Sequence, residues 1–222
     1  MIMRYKKKKH FFLSIFSIFS FLFFTTACSG PDQASNTNEG KPSVIRMDGS
    51  FTVNMDNPQE TVGDADYVFL ARVNQKVNTV YKDPVTIETE SGTKEISTPY
   101  TNYEVTVLKN IKGSLQLDTN IPIQKAGGND KDDSSIVLYE DDNLPEVGKA
   151  YVFLAYAQDD GSLLVSGPHS NTFVKNINKA ITSKKIPDDI EKSEVISKYK
   201  NANKNQVVRD RDRSISKYDT KK

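Results

Sequence analysis

The sequence predicts a mainly β protein: a small five-stranded barrel with a C-terminal helical extension. Three observations predict it. Between about Asn57 and Val174 the apolar residues fall in short continuous runs or at period two, rich in β-branched and aromatic types. Turn signals separate these runs, Asp160-Gly161 being the clearest. After Val174 the period lengthens to that of a helix.

The N-terminus precedes this core and follows a different logic. Arg4 and Lys6 to Lys9 make a positive segment, Phe11 to Phe24 a 14-residue apolar run, and Thr25-Thr26-Ala27 a small-residue stretch before Cys28. A spanning helix needs roughly 20 apolar residues, so this run is a signal peptide. With Ala27 and Cys28 in place the pattern resembles the lipobox of bacterial lipoprotein precursors, although Thr25 stands where that family usually has Leu. The resemblance implies removal of residues 1–27, a diacylglyceryl thioether on Cys28, and an anchored mature chain of 195 residues. Two acyl chains hold a protein stably on a bilayer where one does not. Cys28 is also the single cysteine of the chain, so it has no disulfide partner within it.

Residues 28–56 are read as the lipidated cysteine and a flexible tether, because Ser29 to about Ile45 is rich in Ser, Asn, Gly and Pro and poor in large apolar residues. The barrel is placed at 57–174. Asp66 to Val77 begins as a buried run and ends in alternation. Val85-Thr-Ile-Glu and Lys94-Glu-Ile-Ser predict a hairpin around Ser91-Gly92. Tyr103, Val105 and Val107 share one face of the next strand, and Asn120-Ile-Pro-Ile-Gln is an edge strand on account of Pro122. Ala150 to Tyr156 and Ser162 to Ser166 flank the Gln158–Gly161 turn.

Ala65-Asp66-Tyr67-Val68-Phe69, Tyr103 to Gly113, and Val147-Gly148-Lys149-Ala-Tyr151-Val-Phe-Leu154 together resemble the netrin-like, or tissue-inhibitor-of-metalloproteinase-like, OB-fold domains, over roughly residues 60–170. That resemblance implies that the five-stranded barrel is OB-like. It does not carry over metalloprotease inhibition, which in that family uses a free N-terminal cysteine amine and several disulfides.

Residues 175–222 are read as a basic, helical and partly disordered tail. Val174, Ile177 and Ile181 predict a short amphipathic helix. Pro187 with Asp188, Asp189 and Glu191 opens a second, bearing Ile190, Val195, Ile196 and Tyr199, and Asn201 to Lys222 is expected to fray. Charge divides along the same line. Residues 41–174 carry 11 Lys+Arg against 20 Asp+Glu, and residues 175–222 carry 14 against 7. The tail is therefore expected to be solvated surface, to fold back on the acidic core, or to meet an anionic surface.

No catalytic set emerges. His10 departs with the signal peptide, leaving His169 alone, and no zinc spacing exists. The acidic loop Gly127–Ser135, with Glu140-Asp-Asp142 nearby, lacks the order of a calcium loop, and Gly127-Gly128 is not a phosphate loop. Catalytic residues, metal and cofactor are each expected to be none. The acidic barrel speaks against nucleic acid. The expectation is a lipid-anchored module on the extracytoplasmic face of the cell membrane, non-catalytic, held by diacylglyceryl-Cys28 and binding a protein or glycan. The alternatives are adhesion to wall polymer or anionic lipid through the basic tail and, lower still, carboxylate-dependent glycan hydrolysis.

Overall fold

The computed structural model describes residues 42–89 and 92–221; Cys28, the expected signal peptide and the first part of the expected tether lie outside them. Five strands close a barrel: β2 (Tyr67–Thr89), β3 (Gly92–Lys112), β4 (Asn120–Ala126), β7 (Ala150–Ala157) and β8 (Leu163–Val165). Their order is β2-β3-β4-β8-β7, and β7 returns to pair with β2. Every pairing is antiparallel except β4 with β8. That single parallel pair gives the OB-type arrangement.

The segments read as four short strands prove to be one long hairpin. Val85 pairs with Ile96 and Thr89 with Gly92, while irregularities near Val73, Lys76 and Lys82 bend the ribbon. Alternation sends Phe69, Val73, Tyr103, Val105, Val107, Ile121, Tyr151, Phe153 and Leu163 into the barrel. Phe69 and Phe153 stack there at 5.7 Å. The alternate residues of β2 and β7, Val68, Leu70, Val152 and Leu154, are buried too, in a second core outside the barrel wall. Strands covered on both faces read as unbroken apolar runs, which explains Tyr67–Ala71 and Ala150–Ala155. At the β7–β8 turn Gly161 takes φ +75°, and its amide donates to Gln158 O. Pro122 pairs with Glu104 on one side and has no strand opposite, since β8 reaches only Gln124 and Lys125.

The second core is covered by three helices. In α1 (Pro58–Asp64) Asn57 caps the Gln59 amide and Glu60 accepts from the Asn57 side chain. Ser193 caps α3 (Glu194–Lys204), which follows the single turn α2 (Asp188–Glu191). Ile190, Ile196, Tyr199 and Ala202 face Val62, Ala65 and Leu108. Full burial of a side chain such as Ile196 stabilises by about 1.5–3 kcal/mol.

Three expectations are corrected. The tether was read through residue 56, but β1 (Ser43–Met47) pairs in parallel with β6 (Ser135–Tyr139), which also meets β5 (Gly128–Asn129). One strand from the acidic connection, β6, takes up one edge of this Val- and Ile-bearing segment. The helix read over 174–181 is absent. Val174 ends β9 (Asn171–Val174) on β7, and beyond it Asn176 adopts φ +65° while Asn178 accepts from the Ala180 amide, so polar side chains build turns instead. Residues 205–221 do not fray. They cross the barrel end as a strap, with Tyr218 against the core and Leu115 bridged to Asp219.

Candidate functional site

The strap is held by charge. Asp66, its side chain 5% exposed, accepts from Arg211 Nη2 at 2.7 Å and Arg213 Nη1 at 2.8 Å. Asp64 faces Arg209 and Arg211. Arginines at every second position point the same way along an extended chain, so the spacing Arg209, Arg211, Arg213 directs all three at one acidic pole. Carbonyls from the C-terminal end of α1 join that pole. Arg213 binds Gly63 O and Asp64 O, and Lys112 binds Val62 O and Gly63 O. Burial, then Arg213, brings the Lys112 ammonium down to about 8. Of the fates expected for the tail, solvated, folded back or on an anionic surface, its arginines take the fold-back onto the acidic core.

A second charged contact is fully interior. Lys125 on β4 is buried, bound to Asp142 and 3.1 Å from Ser170 Oγ. Burial disfavours both charges, drawing Lys125 down and Asp142 up, and their attraction opposes it. Ser170 Oγ donates to Gly167 O, and all three groups are shut from solvent. This is an internal tie between β4 and the loops after β6 and β8.

An open concavity with convergent polar groups lies elsewhere, on the outer face of β2, β3 and β4. Inward residues there alternate with outward ones, and the outward ones include the carboxamides Asn74, Asn78, Asn102, Asn120 and Gln124. Cross-strand register places Asn78 beside Asn102 and Asn102 beside Gln124. Gln124 Nε2 donates to Asn102 Oδ1 at 2.9 Å and Asn102 Nδ2 to Asn78 Oδ1 at 2.8 Å, while Lys82 donates to Gln124 Oε1. A second relay runs from Asn74 to Asn120 and on to Glu104. The first ladder floors a groove of about 410 Å³, whose other wall is Asp160 and Ser162 of the β7–β8 hairpin. Such volumes suit small-ligand sites, which span roughly 300–1,000 Å³.

Glu104 and Asp160 both line this groove. Hydrogen bonds from Ser162 hold Asp160 below the ordinary carboxylate range, the opposite of what a general acid requires. His169 sits apart with φ +57°, its ring 3.3 Å from Asp56. The acidic loop spends its carboxylates locally: Asn129 donates to Asp133 and the Ser134 amide to Asp132, and Lys131 pairs with Glu95. Among the described residues no three His, Cys, Asp or Glu converge as a metal ligand set.

Cys28, the one site residue read from the sequence, lies outside the described residues. The groove was missed because carboxamides in a strand carry no motif. The available signal was their recurrence at the outward positions of alternating strands, as in Asn120-Ile-Pro-Ile-Gln124. No protein-family model matches the chain, and no curated protein matches it.

Proposed function

We propose that this protein is an extracytoplasmic lipoprotein, anchored by diacylglyceryl-Cys28, whose netrin-like OB-type barrel is a non-catalytic binding module working through the β2–β3–β4 groove. One observation carries the binding role: a ladder of uncharged hydrogen-bonding side chains floors an open groove and retains unused donors and acceptors. The signal-peptide pattern ending at Cys28 carries the anchor. The test labels cells with an alkyne fatty acid and places a photo-crosslinking residue at Val77 in the groove or at Lys198 on α3. Label on the wild type and none on Cys28→Ser supports the anchor, and unlabelled wild-type protein refutes it. Adducts formed from position 77, lost on Asn102→Arg and not formed from position 198, support the groove; equal adducts from both positions refute it.

A second reading, adhesion to anionic lipid or wall polymer, now rests on the turns after β9 rather than on the tail's arginines. Lys175, Lys179, Lys184 and Lys185 are exposed and form no ion pair among the described residues. Salt-sensitive binding lost when these four become Gln supports it, and salt-insensitive binding overturns it.

A further inference from the structure

We propose that the ligand of this groove is a neutral glycan. The inference rests on the binding-module reading above and names its ligand class. A primary amide offers two N–H donors and two acceptor lone pairs. Asn102 spends one N–H on Asn78 and one lone pair on Gln124, so it keeps one of each. Gln124 keeps an N–H beside the oxygen that Lys82 engages, and Asn78, exposed at the rim, keeps both of its N–H groups. Donors and acceptors therefore sit side by side across three strands at the spacing of adjacent strands, about 4.8 Å. A sugar hydroxyl donates and accepts at once, and a run of them on a ring matches such a surface. The internal ladder holds the carboxamides in place before a ligand arrives, which lowers the ordering cost of binding. Val77 and Pro122, both exposed in the groove, offer apolar contact for the C–H face of a sugar ring.

The same residues disfavour other occupants. Lys82 stands against Glu104 and Asp160, so the groove holds one cation and two carboxylates and repels phosphate or sulfate polymers. A peptide joining the sheet would need the free edge of β4, where Pro122 has no N–H to offer.

The test uses the full-length lipidated chain in nanodiscs, ¹⁵N-labelled, with the side-chain NH₂ signals of Asn78, Asn102 and Gln124 followed by NMR. The probes are chitotetraose, cellotetraose and maltotetraose, with an octapeptide and polyphosphate for contrast. At least one tetrasaccharide shifts the three signals saturably. Asn102→Ala, with core amides such as Val105 unmoved, weakens it about tenfold, the scale of one or two lost hydrogen bonds. Asn205→Ala, at the far end of α3, leaves it unchanged. Silence toward all three sugars overturns the proposal, as does equal binding by Asn102→Ala. A response to the octapeptide or polyphosphate alone overturns the glycan identity and spares the binding reading, which the crosslinking comparison decides separately.

Discussion

Neutralising Asp66 tests whether charge holds the C-terminal strap. The carboxylate is 5% exposed and receives Arg211, Arg213 and the Ala157 amide at 2.7, 2.8 and 3.0 Å. In Asp66→Asn the two guanidinium groups stay at the pole, with Lys112 behind them, and an NH₂ replaces one acceptor. Breaking a buried pair on one side costs about 3–5 kcal/mol. Arg211 and Arg213 are 24% and 28% exposed, so solvent screening lowers the expectation to about 2–3 kcal/mol. For a chain of this size that is roughly a 5–10 °C fall in melting temperature. Urea unfolding at low salt gives the free energy, and hydrogen exchange at the Lys217 amide, which donates to Gly161 O, reports the strap directly. The wild type should lose stability with added NaCl more steeply than the variant. Arg209→Ala is the graded control: its side chain is 36% exposed and 3.3 Å from Asp64, so its loss costs less than about 1 kcal/mol. If Asp66→Asn costs under about 0.5 kcal/mol and leaves Lys217 protected, charge does not hold the strap.

Three further outcomes are expected. Asp142→Asn strands a buried cation at Lys125 and costs about 3–5 kcal/mol by urea unfolding, while Lys125→Met with Asp142→Leu regains most of it. Gly63→Ala improves helix propensity by up to about 1 kcal/mol, yet its Cβ would lie 1.9 Å from Val207 O. It should destabilise the protein and expose the Val207 amide, which donates to Gln59 O, to exchange; net stabilisation would contradict the close packing of strap on helix. Lys112 has its pKa lowered on folding to about 8 from 10.5, so between those values the unfolded chain binds more protons and stability rises with pH. Lys112→Met should flatten that rise between pH 8 and 10 in denaturation midpoints, and an unchanged slope would assign the rise elsewhere.

Much of the barrel was legible because its elements are local statements. Tyr103, Val105 and Val107 show their face by alternation, and Asp160-Gly161 shows its turn by chemistry. The start of α1 was legible in principle, since Asn57-Pro58-Gln59-Glu60 is a helix opening, but seven residues give no apolar period to support it. The helix expected at 174–181 failed because Val174 and Ile181 reach the same second core from different elements, one from β9 and the other from the turns after it. Equal spacing of apolar residues does not distinguish one helix face from two separate contacts.

The sequence by itself determined the barrel strands, the hairpin turns and the division between acidic core and basic tail. Each follows from nearest neighbours, from period, or from a charge count. Tertiary structure alone decided where the tail's arginines end, 145 or more residues from the carboxylates they meet. It alone decided that residues 43–47, expected as tether, become a strand, and that carboxamides from three strands join in one groove. These outcomes depend on register and chain closure, which set distances between residues far apart in sequence, and no local pattern encodes such a distance.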